Sequence, residues 1–262
     1  MIPKADIIQW RKFAPWKSDA QVEQDLILGR ALIEIFSNQL LSDSLLFRGG
    51  TALNKLFLHT PVRYSEDIDL VQKEAIPIGE LMGEMRKTLN SWLGKPKTKQ
   101  KTNSVVFIYR ADSEIPPVSK LRIKIEINTR EHFNIFETTQ KVHSINSRWF
   151  SGECEITSYL FEELLATKLK ALYQRSKGRD LFDLWYALKG GNIDGSKIIS
   201  AFRKYVEADK ANIPKEVFKN NVLKKLEDPD FLNDTVPILR PGIKYSPFEA
   251  YEFVREQLIE KL

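Results

Sequence analysis

Between Asp19 and Leu41 apolar residues recur at helical spacing, at Val22, Leu26, Ile27, Ala31, Ile33, Ile35 and Leu40. That spacing predicts a helix, with Ser18 or Asp19 as its cap. Leu45–Phe47 is a short apolar run that stops at Gly49-Gly50. Thr51–Leu58 then predicts a short helix with Ala52, Leu53, Leu56 and Phe57 inward. Ile68–Val71 is strand-like and Ile78–Leu93 helical. Ser104–Tyr109 predicts a strand, and Leu121–Asn128 a second with strict alternation: Leu121, Ile123, Ile125 and Ile127 on one face, Arg122, Lys124, Glu126 and Asn128 on the other.

After about residue 150 the period changes. Tyr159–Gln174 and Arg179–Leu188, separated by Gly178, predict two amphipathic helices. Further helices are expected at 196–207, 214–227 and 247–261, where Pro214 and Pro247 suit a first turn. No strand-like alternation is visible in this half. The expected fold class is therefore α+β: residues 1–150 form a mixed sheet flanked by helices, and residues 151–262 an all-helical domain.

Composition narrows the class. With 42% hydrophobic and 29% charged residues the chain reads as an ordinary soluble globular one and not as a disordered one. No apolar run reaches membrane-spanning length, and the N-terminus lacks the apolar stretch of a signal peptide. Cys154 is the single cysteine, which excludes an intrachain disulfide and a Cys-rich zinc site. The expected compartment is the cytoplasm. The net charge of +5 is mild for a nucleic-acid binder. Lys95, Lys97, Lys99 and Lys101 nevertheless fall in one short stretch, read either as a phosphate-touching loop or as a solvated hairpin tip. His59, His132 and His143 form no ligand cluster, and His59 reads as a turn residue.

The candidate chemistry lies between Phe47 and Leu70. Asp67 and Asp69, two apart on a strand, point to the same side. Their repulsion favours a cation between them, and hard oxygen ligands suit Mg²⁺. Gly49, Gly50 and Thr51 end a strand and open a helix, which offers free N–H groups to phosphates; the bland alternative is a tight turn with a Thr cap. Glu126 stands on the polar face of its strand. It either completes a metal site or pairs with Lys124 or Arg122.

FRGGTALNK followed by RYSEDIDL resembles the AbiEii/AbiGii toxin family (the MenT-like toxins), within the DNA polymerase β-like nucleotidyltransferase superfamily. The family also carries a Lys, an Arg, then Arg-Asp and a second Asp, matched here by Lys168, Arg175, Arg179, Asp180 and Asp183. The resemblance covers about Phe47 to Leu188. It implies transfer of a nucleoside monophosphate from an NTP to an acceptor, with the 3′ end of tRNA first in line and a cognate antitoxin as partner. Transfer to a protein or small molecule, or a decayed nucleotide-binding module, are the alternatives. It further implies Mg²⁺ (or Mn²⁺) on Asp67, Asp69 and Glu126, and catalytic roles for these with Lys168 and Asp180. Nucleotide contacts are implied from Arg48, Gly49, Gly50, Thr51, Ser65, Lys168, Arg175 and Arg179. Lys168 and Arg175, seven apart, share a helix face on this reading. Asp180 orients Lys168 or accepts from the nucleotide, and Asp183 pairs with Arg179. The helical domain is expected to close the nucleotide cleft, and Lys95–Lys101 with the stretch Arg203–Lys225 are the candidate RNA surfaces.

Overall fold

The computed structural model describes residues 2–58, 60–191 and 193–262; His59 lies outside the described residues. The chain divides into two compact units, the first ending at Tyr159 and the second Leu160–Leu262.

The first unit begins with α1 (Lys4–Trp10) and α2 (Asp19–Ser37). Ser18 caps α2 reciprocally: its hydroxyl accepts from the Gln21 N–H at 3.2 Å, and the Gln21 side chain accepts from the Ser18 N–H at 3.3 Å. The helix expected to continue to Leu41 instead stops at Ser37. Asn38 adopts an extended backbone, and its side chain caps a separate helix, α3 (Gln39–Ser44), by accepting from the Leu41 N–H. There follow β1 (Leu45–Arg48), α4 (Gly49–Ala52) with a π turn over Leu53–Phe57, β2 (Asp67–Gln72) and α5 (Gly79–Leu93). The sheet is completed by β3 (Lys97–Gln100), β4 (Ser104–Asp112), β5 (Lys120–Asn128), β6 (Thr139–Asn146) and β7 (Ser151–Ser158).

Among the described residues the strands form one sheet in the order β3-β4-β5-β2-β1-β7-β6. β2 runs antiparallel to β1 and parallel to β5. One face is apolar: Ile68, Leu70, Phe107, Ile123, Ile125 and Ile127 are buried, with α2 packed over β2, β5, β6 and β7, and α5 against β4. The other face carries the polar half of the alternation, and Arg122 is exposed there.

Two further readings are corrected. The half of the chain beyond residue 150 does contain a strand, β7, paired with β6. Its inward positions include Cys154, Ile156 and Ser158, and small or polar inward residues leave little hydrophobic period to detect. Lys97–Gln100 is the edge strand β3, so of the four lysines Lys101 alone falls in the exposed hairpin turn before β4. Lysine-bearing edge strands resist edge-to-edge pairing.

The second unit is helical: α6 (Phe161–Gln174), α7 (Gly178–Lys189), α8 (Gly195–Ala208), α9 (Lys215–Lys225), α10 (Pro229–Asn233) and α11 (Pro247–Gln257). Leu165, Leu169, Leu181, Phe182, Phe202 and Phe218 build its core. Pro247 sits in the first turn of α11, whereas Pro214 is the residue that precedes α9. No helix among the described residues is long and apolar enough to cross a membrane.

Candidate active site

The register of the sheet assembles the site. Arg48 pairs with Asp69, Asp69 with Glu126, and Asp67 with Lys124. Paired residues on adjacent strands point the same way, so these side chains share the face opposite the apolar core. Ile68 and Leu70, both buried, fix the strand from behind.

Gly49 has φ +81°, and a Cβ built there would overlap the Asp69 carboxylate at Oδ2. Only glycine combines that backbone conformation with that approach. The turn is tied down from below. The Thr51 hydroxyl, buried, bonds the Asp67 carbonyl and lies 2.8 Å from the Ser65 hydroxyl. Thr51 and Ser65 thus hold the Asp67 backbone through their side chains.

The cation in this site is Lys124. Its ammonium lies 3.1 Å from Asp67 Oδ2 and 2.9 Å from Glu126 Oε2. Burial disfavours its charge, but Asp67 and Glu126 outweigh that and raise its pKa. Glu126 Oε1 accepts from Ser104 Oγ at 2.7 Å, and Lys101 is 3.5 Å away. Burial would raise the Glu126 pKa; the Ser104 hydroxyl and Lys124 hold it below the usual 4.5. Of the two readings of Glu126, the salt bridge to Lys124 is present, and strand pairing sets Glu126 opposite Asp69. Arg48 is turned to Glu131, at 2.5 Å. Burial opposes its charge, and Glu131 more than restores it. Neither Glu131 nor Ser104 carries a sequence signal, because each acts through partners brought together only by strand pairing.

The donor set fits a divalent cation at Asp67 and Asp69. Asp67 Oδ1 is buried without a hydrogen bond, with Arg122 Nη1 3.8 Å away, and the missing Cβ of Gly49 gives Asp69 Oδ2 its room. Among the described residues no three acidic, histidine or cysteine side chains are grouped as metal ligands. The fit therefore rests on the aspartates, with Glu126 set apart by Lys124.

In the second unit, Lys168 and Asp180 are buried and meet at 3.0 Å. Arg175 grips the same carboxylate with two bonds, of 2.7 and 2.8 Å. Burial disfavours the Asp180 charge, yet Lys168 and Arg175 bring its pKa down to about 2. Two expectations change here. Arg175 does not share a face of α6 with Lys168; it follows the helix in an extended backbone and reaches Asp180 from there. Asp183 does not pair with Arg179. It faces inward and lies 2.9 Å from Lys168, while Arg179 turns to Asp234. The two residues lie one turn apart on α7, but Asp183 is on the buried face and Arg179 is not. In the stretch Arg203–Lys225, Lys215 and Lys219 pair with Glu260, and Lys225 donates to the Leu172 and Tyr173 carbonyls.

A mixed sheet with one helix-covered face, and paired aspartates beside a Gly-Gly-Thr turn on the other, defines a nucleotidyltransferase. Residues 30–251 match the family model described as "Nucleotidyl transferase AbiEii toxin, Type IV TA system", and the chain belongs to that family. Membership implies an NTP substrate and an antitoxin partner. The fold is similar to that of MenT4, a nucleotidyltransferase toxin from Mycobacterium tuberculosis H37Rv, with TM-score 0.65 and 16% identity over 98% of this chain and 90% of that one. It is also similar to JHP933 from Helicobacter pylori, with TM-score 0.52 and 19% identity over 93% of each chain. A putative nucleotidyltransferase from H. pylori gives TM-score 0.53 and 20% identity, over 93% of this chain and 96% of that one. No curated protein matches the sequence.

Proposed function

We propose that the chain transfers a nucleoside monophosphate from an NTP to the 3′ end of tRNA, in the cytoplasm, and so blocks translation. In the reaction the terminal hydroxyl oxygen bonds to the α-phosphorus, the bond to the β-phosphate oxygen breaks, and pyrophosphate leaves. Asp67 and Asp69 would hold Mg²⁺, which when bound supplies charge neutralisation at the phosphates. The backbone of Gly50 and Thr51 faces the triphosphate, and Thr51 and Ser65 keep Asp67 in place. Glu126 is kept ionised, the state in which it accepts the hydroxyl proton. Within the second unit, Lys168, Arg175 and Asp180 form a charged cluster to which the family resemblance assigns nucleotide contacts. Such transfer needs little covalent help, so positioning and charge carry it.

The observation that carries this reading is the Gly49–Asp69 approach, in which a side chain at position 49 would occupy the place of the Asp69 carboxylate. The choice of RNA as acceptor draws on a second one. Sheet register puts Lys97, Lys99, Arg110 and Arg122 on the face that bears Asp67 and Glu126, and all four are exposed. A row of exposed cations leading to a phosphoryl-transfer site suits a polyanionic acceptor. Incubation with each α-labelled NTP, Mg²⁺ and total tRNA tests it. Label should enter RNA; label in protein alone would replace tRNA with a protein acceptor.

A further inference from the structure

Helix α6 stops sooner than its residues require. Gln174, Arg175 and Lys177 all favour helix, and neither proline nor glycine stands between Leu172 and Lys177. Yet the helix ends at Gln174, and Arg175 takes an extended backbone, with φ −134° and ψ 155°. Since α7 begins at Gly178, only Arg175, Ser176 and Lys177 join the two helices. A further turn of α6 would use up that connection and draw Asp180 away from Lys168. The early stop is therefore what lets Arg175 and Lys168 grip one carboxylate.

Stopping there has a cost. In a continued helix the Leu172 and Tyr173 carbonyls would accept from the N–H groups of Ser176 and Lys177. The extended backbone at Arg175 carries those donors away. Lys225, half-buried at the end of α9, takes their place: its ammonium donates to both carbonyls, to that of Tyr173 at 2.8 Å. A cation also suits the negative end of the α6 dipole. Burial pulls the Lys225 pKa down to about 8 and the Asp180 carboxylate opposes that, so the ammonium is charged at neutral pH. The chain beyond Lys225 follows the same connection. Asp228 accepts from the Ser176 hydroxyl at 3.2 Å, and Asp234 accepts from the Arg179 N–H at 3.0 Å. A Cβ on Gly178 would overlap the Phe231 carbonyl oxygen.

We propose that Lys225 is a positioning residue for nucleotide transfer: by closing the end of α6 it holds the short connection from which Arg175 and Lys168 both reach Asp180. It acts through Arg175 and Asp180, without contact to the nucleotide itself. The proposal rests on the nucleotide contacts assigned to that cluster under the proposed function. A purely structural cap would stabilise the fold and leave the affinity for NTP alone. A positioning residue moves both, and its effect on NTP runs through Arg175.

Lys225→Met, Lys225→Arg, Arg175→Ala and the Lys225→Met, Arg175→Ala double variant, each in the full chain, test it by urea unfolding and by transfer from labelled NTP to total tRNA. In Lys225→Met, kcat/KM for NTP should fall about tenfold, mostly through KM, because charge-assisted bonds to two carbonyls are lost. Lys225→Arg keeps a cation with several donors and should return KM close to wild type. On the Arg175→Ala background, Lys225→Met should add little to KM, since both act on one group. Lys225→Gln, a milder loss of the charge, serves if Lys225→Met does not fold. Lower stability with unchanged KM would make Lys225 a cap alone and overturn the proposal, as would full additivity with Arg175→Ala. If the wild type transfers no label, the reading of the activity has failed, and the urea cycle decides this proposal by itself. Coupling between positions 225 and 175 in unfolding would then support it, and additivity would overturn it.

Discussion

Gly49→Ala isolates the geometry on which the site depends. Gly49 has φ +81°, and an L side chain in that region costs about 1 kcal/mol. For a chain of this size that lowers Tm by roughly 2–4 °C, so the variant should fold. The new methyl cannot coexist with the Asp69 carboxylate, because the atoms it meets are Asp69 Oδ2, Cγ and Cβ. The carboxylate must swing aside by about 1 Å or more. Misplacement of that order in a positioning site costs about 10²-fold in rate. Nucleotide transfer by the variant should therefore fall about a hundredfold while Tm barely moves. In an Asp69→Asn background the same substitution should add little, since both act on one group. Transfer is read from labelled NTP and stability from thermal unfolding. Wild-type transfer by a stably folded Gly49→Ala would refute the reasoning, as would full additivity with Asp69→Asn.

Lys124→Met removes the ammonium between Asp67 and Glu126. The metal-free protein should lose about 1–3 kcal/mol, because two carboxylates are left facing each other, and Mg²⁺ should raise its Tm more than that of wild type. An equal or smaller rise would show that no cation binds there. Asp180→Asn leaves Lys168 buried with Asp183 alone and should cost about 3–5 kcal/mol in urea unfolding. The Asp180 pKa is depressed from 3.8 to about 2, so its ionisation contributes about 2 kcal/mol that is present above pH 3.8 and lost as pH falls towards 2. The gap between wild type and Asp180→Asn should accordingly shrink between pH 5 and pH 2.5; a constant gap would contradict the ion-pair account.

Much of the catalytic unit is legible in its residues because alternation is strong where one face is buried. Leu121 to Asn128 shows this, as does Asp67-Ile68-Asp69-Leu70, where the apolar residues fix the aspartates outward. The split of the first long helix is hidden because Asn38 interrupts the chain through its backbone and side chain, without proline or glycine. β6 and β7 are hidden because their inward residues are mostly small or polar, and Lys97–Gln100 because an edge strand has no buried face to write a period. The ionic partners were hardest to read. Lys124 reaches Asp67 across a strand pair, Arg48 finds Glu131 from far along the chain, and Asp183 and Arg179 part company because α7 buries one and exposes the other. Sequence spacing permits such pairs but does not choose among them.

The most direct test of transfer at Asp67 and Asp69 follows the two ends of the triphosphate separately. With α-labelled NTP, label should appear at the 3′ end of tRNA; with γ-labelled NTP, it should appear only in released pyrophosphate. Both signals should disappear in a folded Asp67→Asn, Asp69→Asn variant. Persistence of either signal in that variant, or γ-label in the acceptor, would contradict the account.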